Sequence, residues 1–322
     1  MISFRILSLI AGVFLVFLVG CQSKPTVVRE TVSRSFGGSQ ALLGPIIVDE
    51  SVVVVDARPA FDYSMARLPR SVSVNWADYS EADASMRGWP QKDAFAATRR
   101  LARLGIAPNS QVVVLGNGAE GQGEEGRVAW MLAYWGVANV RFGRFGSVKA
   151  RVTTEALPEA AKSTFDDGRS MQPPEKPTNA KPIWKPAIVN SLIASRDEMR
   201  GAIENVATEK PWSFAGSKAK LYRIIDVRSE SEYLGKKGGF RAKSIPNINA
   251  INVPWKEFFT PDFRPFAETA ERLASVGILP QHRVIVIDND GVASAAVTMA
   301  LRAYGYNDVG CFAGGYNDLM AH

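Results

Sequence analysis

The chain predicts an α/β fold: two domains, each a mostly parallel sheet flanked by helices on both faces. Three observations carry this expectation. The first is an internal repeat. Val54-Val55-Asp56-Ala57-Arg58, followed by Phe61-Asp62-Tyr63, returns as Ile224-Ile225-Asp226-Val227-Arg228, followed by Ser231-Glu232-Tyr233. Leu104-Gly105-Ile106-Ala107-Pro108 and the run Val112 to Leu115 return as Val276-Gly277-Ile278-Leu279-Pro280 and Val284 to Ile287, at an offset of 170 to 172 residues throughout. The second is that strand and helix patterns alternate in each copy at spacings that favour parallel pairing. The third is length: 322 residues suit two domains of ordinary size.

The chain opens on a targeting pattern. Arg5 precedes an apolar run from Ile6 to Val19, too short for a comfortable membrane span. The run ends in Leu18-Val19-Gly20-Cys21, which resembles the processing site of bacterial lipoproteins. That resemblance implies a signal peptide over residues 1–20 and a diacylglyceryl group on the Cys21 sulfur. Gln22 follows, and no aspartate is present there to retain the protein at the inner membrane. The expected location is therefore the outer membrane, facing the periplasm (the cell membrane in a Gram-positive source). Several acyl chains hold a membrane stably where one is marginal. Residues 21–40 are polar, with Gly37-Gly38, and read as a tether.

In the first domain, residues 41–150, the β-branched runs Ile46 to Val48 and Val52 to Val55 predict strands. Val72, Val74 and Trp76 alternate with polar residues, predicting a strand with one buried face. Ala94 to Leu104 carries Phe95, Leu101 and Leu104 at helical spacing and stops at Gly105. Val112 to Leu115 is a buried strand, Arg127 to Trp135 a helix closed by Gly136, and Val140 to Phe142 a short strand. Residues 151–187 change in texture, with five prolines between Pro173 and Pro186. They read as a linker that runs partly as polyproline II, a spacer or a strap across the second domain.

The second domain, residues 188–322, repeats the order. Ser195 is placed to cap a helix with Asp197-Glu198 in its first turn. Strands are predicted at Tyr222 to Val227, Ala250 to Val253, Val284 to Ile287 and Val309 to Phe312. Helices are predicted at Phe266 to Val276 and Ala293 to Tyr304.

The bulk numbers narrow the function. The net charge is +6, from 38 basic and 32 acidic residues mixed along the chain, so nucleic acid is not an expected partner. Of two cysteines, Cys21 is assigned to lipid, leaving Cys311 and no internal disulfide. His282 and His322 lie in no ligand-spaced cluster, so no metal site is expected.

The second copy holds Asp226-Val227-Arg228 with Glu232-Tyr233, then Ser244-Ile245-Pro246 leading to Ala250-Ile251-Asn252-Val253-Pro254-Trp255. Gly291-Val292-Ala293-Ser294-Ala295 follows, and then Gly305-Tyr306 through Val309 to Gly314-Gly315-Tyr316. On these residues the second copy resembles the rhodanese family, in the tandem thiosulfate sulfurtransferase arrangement. The first copy is fainter, in Asp56-Ala57-Arg58, Arg67-Leu68-Pro69, Ala129-Trp130, Gly136 and Val140. Asn247-Ile248-Asn249 lengthens the usual second-copy pattern, and Arg144-Phe145-Gly146 stands where the second copy has a glycine pair.

The resemblance implies a nucleophilic sulfur at the start of the loop after the apolar strand. Inward backbone N–H groups and a helix N-terminus would hold its thiolate or persulfide. In the second copy that loop is Asp288, Asn289, Asp290, Gly291, Val292, Ala293 and Ser294. Asp288 cannot carry a persulfide, and Asp288 with Asp290 repels an anionic sulfur donor. Its expected role is to cap the loop or the following helix. In the first copy the loop runs through Gly116, Asn117, Gly118, Glu120 and Gly121 to Gly126, with no cysteine, serine or threonine. Its Gly-x-Gly-x-x-Gly spacing is not read as a dinucleotide fingerprint. The strand is late in its domain and three glutamates oppose a pyrophosphate.

No cofactor is expected. The resulting expectation is a membrane-tethered, non-catalytic binding or scaffolding protein with a protein partner in the envelope. The alternative is a sulfurtransferase using an unexpected nucleophile such as Cys311, which the sequence reads as a small buried hydrophobe some twenty residues past the loop. A third reading lets Asp288 and Asp290 draw a cation. The basic stretch Lys236, Lys237, Arg241 and Lys243 reads as a solvated face, and Arg228 with Glu232 as an ion pair holding a turn.

Overall fold

The computed structural model describes residues 45–148, 181–236 and 246–321. The signal peptide, Cys21, the tether, most of the linker, and Lys237, Arg241, Lys243 and His322 lie outside the described residues.

Each half is built on a four-stranded, all-parallel sheet. The first half has β1 (Val52–Asp56), α1 (Ala60–Met65), β2 (Val72–Ser73), α2 (Ala94–Arg103), β3 (Gln111–Gly116), α3 (Glu124–Tyr134) and β4 (Asn139–Arg144). The second has α4 (Arg196–Val206), β5 (Tyr222–Asp226), α5 (Glu230–Tyr233), β6 (Ile251–Asn252), α6 (Glu268–Ser275), β7 (Arg283–Ile287), α7 (Val292–Ala303), β8 (Val309–Cys311) and α8 (Gly315–Leu319). The strand orders, β2-β1-β3-β4 and β6-β5-β7-β8, repeat. The register repeats too: Asp56 pairs with Leu115 and Asp226 with Ile287.

The sequence explains the central strands. β7 is buried at all five positions and β3 at all but Gln111, as expected of parallel strands covered on both faces. Period-two alternation divides β1 and β3. Val55, Val112 and Val114 join the main core, while Val54, Val113 and Leu115 meet Leu68 in a smaller cluster on the opposite face.

That smaller cluster corrects one expectation. Ile46 to Val48 is not a strand; Ile46 and Val48 pack on the smaller cluster as irregular chain. The β2 strand is short, and its Ser73 is buried rather than solvated. Phe95 is 50% exposed, because the buried face of α2 passes through Ala97, Thr98 and Leu101 instead. The described end of the linker, residues 181–187, lies on the first half, not the second. Lys181 donates its N–H to Ala102 O, Ala187 to Trp135 O and Val189 to Tyr134 O. Trp184 Nε1 bonds Ile106 O at 3.0 Å.

Between the halves, α3 and α7 cross at small side chains. A Cβ at Gly126 would stand 2.3 Å from the Ala296 Cβ, so the helices approach as closely as a missing side chain allows. The main core therefore runs through both halves, from Leu101 and Trp130 to Val286 and Leu301.

Candidate functional site

The loop between β7 and α7 sits where a parallel sheet delivers its strand ends, the usual place for a ligand in an open α/β sheet. Gly291, at φ +85°, turns the chain into α7. A Cβ there would stand 1.9 Å from Ala313 O, so only glycine fits the bend. The turn aims successive N–H groups at the end of β7.

The Asp288 carboxylate fills that cradle. Its Oδ1 accepts the Gly291 N–H at 2.6 Å and the Ser294 hydroxyl at 2.9 Å. Its Oδ2 accepts the Ala293 N–H at 2.7 Å and the Ser294 N–H at 3.2 Å. The first turn of α7 is thus capped from four residues before its start, as the sequence suggests. Burial and the neighbouring Asp290 push the Asp288 carboxyl up to about 6, against the downward pull of these donors.

The first half reaches a similar end by another route. Gly116 occupies the strand-end position that Asp288 holds in the repeat. The Glu125 side chain, from the second residue of α3, folds back into the space a side chain at Gly116 would need. Glu125 Oε1 accepts the Gly118 N–H at 2.7 Å, and its Oε2 has no hydrogen-bond partner among the described residues. Burial pushes this carboxyl up to about 8, with Glu124 and Asp56 adding to the rise and the Gly118 bond opposing it. Each loop is therefore closed by a carboxyl group of its own chain.

Cys311 is nearer to this chemistry than its place in the sequence suggests. The β7–β8 register sets it beside Val286, two residues before Asp288. Its Sγ lies 3.2 Å from the Ser294 Oγ, so Ser294 touches both Asp288 and Cys311. The thiol is wholly buried, and burial pushes it up to about 12 despite the nearby Arg127 charge.

Arg127 is a site residue that the sequence reading missed. It projects from α3 of the first half, wholly buried, and donates to Gly291 O at 3.1 Å and to Gly88 O. Its guanidinium lies 4.5 Å from the Trp130 ring centroid. Desolvation lowers its pKa, opposed by Cys311, Asp288 and Asp290. A single arginine at a helix start carries no sequence signal for such a crossing.

Above Asp288 opens a cleft of about 460 Å³, walled by Arg228, Glu232, Trp255 and Lys256 and rimmed by Gly121 and Gln122 of the first half's loop. Asn289 and Asp290 line its floor. The expected pairing of Arg228 with Glu232 is replaced. Arg228 Nε and Nη2 grip Asp226, the latter at 2.6 Å, because the two residues flank the same strand end. Glu232 instead closes a capping box with Ser229 at the start of α5. Among the described residues, no group of three or more His, Cys, Asp or Glu side chains is placed to hold a metal. None of the described helices is long and apolar enough to cross a membrane.

Residues 214–322 match the rhodanese-like domain family. The structure as a whole is similar to SseA from Escherichia coli, whose structure was described with the fold and mechanism of 3-mercaptopyruvate sulfotransferases. The TM-score is 0.58 at 19% identity, over 83% of this chain and 93% of that one. It is also similar to Tum1 from Saccharomyces cerevisiae, with a TM-score of 0.63 at 16% identity, over 85% of this chain and 90% of that one. Wild-type EanB matches with a TM-score of 0.60 at 16% identity, over 87% of this chain and 64% of that one. At these identities the likeness shows the fold, an α/β architecture with two parallel four-stranded sheets flanked by helices. A comparison with curated proteins gives no match.

Proposed function

We propose that this chain is a tandem of two degenerate rhodanese-like domains that binds or scaffolds a partner without transferring sulfur. One observation carries the reading: the cradle in which a rhodanese would hold a thiolate or persulfide is filled by the Asp288 carboxylate, with four donors committed to it. A carboxylate offers no sulfur to load, and it places negative charge where a thiosulfate sulfur must arrive. The first half supports the same reading, since Gly116 has no side chain and Glu125 takes up its space.

The proposal includes the membrane. Cys21 carries the lipid in this reading, the chain faces the periplasm from the outer membrane, and its partner is a protein of the cell envelope. Mass spectrometry of the mature N-terminus, and its change in a Cys21→Ala variant, tests the anchor. Cross-linking in membranes followed by pull-down tests for the partner.

Sulfur transfer is tested directly by cyanide-dependent thiocyanate formation from thiosulfate and from 3-mercaptopyruvate. The expected result is no turnover above the uncatalysed rate. One competing reading has an observation in its favour: the Cys311 thiol lies next to Ser294, at the back of the loop. Turnover that disappears in Cys311→Ala would establish that reading and end the non-catalytic one.

A further inference from the structure

The cleft above Asp288 keeps the dimensions of a small-molecule site, about 460 Å³, although the loop beneath it has lost its nucleophile. Its charge has changed sign relative to what an anionic sulfur donor needs. Arg228 lines the cleft but is committed elsewhere. Its guanidinium grips both carboxylate oxygens of Asp226 and lies 3.9 Å from the Tyr316 ring centroid. That leaves Lys256 as the cation against the carboxylates of Glu232, Asp288 and Asp290.

These carboxylates are not equally available. Asp288 is saturated by its four donors. Glu232 is engaged by Ser229 and, at 3.3 Å, by the Asn289 amide. Asp290 spends one oxygen on the Val292 N–H at 3.3 Å, and the other retains acceptor capacity.

Trp255 supplies an aromatic wall to the same cleft. The Trp255 backbone N–H bonds Val227 O at 2.9 Å, and Phe263 backs the ring edge-on at 5.7 Å. The chain's own ammonium already uses this ring, with Lys256 Nζ 5.5 Å from its centroid. An aromatic face beside carboxylates attracts organic cations, and three carboxylates against the Lys256 ammonium disfavour an anion there.

We propose that this cleft binds a small organic cation, a quaternary or primary ammonium compound, between the Asp290 carboxylate and the Trp255 ring. The inference rests on the non-catalytic reading of the loop and names the ligand class of the same site. In solution the ligand competes with Lys256 for the ring and is drawn in by the carboxylate excess.

The test is calorimetric titration of the full chain, at low ionic strength and neutral pH, with choline and separately with thiosulfate. Choline is expected to bind saturably and thiosulfate to give no binding heat. Asp290→Asn and Trp255→Leu should each weaken choline about tenfold or more, whereas the exposed Lys256→Gln should tighten it about threefold by freeing the ring. Circular dichroism establishes that each variant is folded, and Lys256→Gln tests the idea even where Trp255→Leu fails to fold. No saturable choline binding, affinity unchanged in Asp290→Asn and Lys256→Gln, or tighter binding of thiosulfate overturns the proposal. Thiocyanate turnover would remove the non-catalytic reading itself. Absence of both turnover and choline binding removes only the ligand assignment.

Discussion

The Arg127 guanidinium of one half donates to the Gly291 carbonyl in the loop of the other, 164 residues away in sequence and 3.1 Å away in space. The same side chain bonds Gly88 O, so it ties two first-half elements to the turn that shapes the Asp288 cradle. Truncating it leaves two buried carbonyls without a donor and a void beside Trp130. Arg127→Ala is therefore expected to lower stability by about 2–4 kcal/mol. Arg127→Met fills the void and removes a desolvated charge, so its loss should be smaller. Urea unfolding of the three proteins checks the order.

Asp288 anchors the start of α7, and its replacement should be felt first in stability. Asp288→Ala strands three N–H groups and a hydroxyl, an expected loss of about 1–3 kcal/mol. Asp288→Cys puts a thiol among the same donors. That thiol should titrate below the ordinary ~8.5 of a free cysteine, with Asp290 limiting the drop. Thiolate absorbance followed against pH, with the unaltered chain as baseline, measures it. A thiol at or above the ordinary value would mean that the loop no longer presents its N–H groups inward.

Glu125 makes stability depend on pH in a direction opposite to that of a salt-bridged carboxylate. Its folded value, about 8, lies above the ordinary glutamate value of 4.5. The folded state thus holds a proton that the unfolded chain releases. The burial of this group is best tolerated below its unfolded pKa, and stability falls as pH rises through the folded one. Glu125→Gln should abolish this fall, gaining on the order of a few kcal/mol relative to the unaltered chain near pH 9 and little near pH 4. Urea midpoints at the two pH values provide the comparison. Parallel pH profiles in both proteins would show that Glu125 is not buried as described.

Cys311 should be inert while the fold is intact. A wholly buried thiol with a pKa of about 12 offers almost no thiolate at neutral pH. Iodoacetamide should leave it unmodified in native protein and alkylate it in urea, as peptide mapping would show. Rapid native alkylation would place the sulfur within reach of solvent and revive its candidacy as a nucleophile.

The fold was legible where side-chain pattern and strand burial coincide. Val112 to Leu115 and Val284 to Ile287 read as buried strands because parallel strands covered on both faces need no polar alternation. Ile46 to Val48 shows the limit of the same signal, since a β-branched run can serve an apolar cluster without joining the sheet. At the site, Asp288 could be read as a cap from its position alone. Cys311 and Arg127 could not be placed, because their neighbours are set by β7–β8 register and by the α3–α7 crossing, which no local pattern encodes. Glu125 was misleading for another reason: a glutamate among glycines looks solvated, and only the missing side chain of Gly116 makes room to bury it.

The α3 helix is buried at nine successive positions, from Glu125 to Ala133. A helix with no water-facing side has nowhere to rest until its surroundings exist, and much of what surrounds it, α7 above all, is encoded more than 150 residues later. During synthesis the first half must therefore wait, sticky and incomplete, for the end of the chain to emerge. Premature termination anywhere before α7 should yield not a smaller working protein but a substrate for chaperones and proteases.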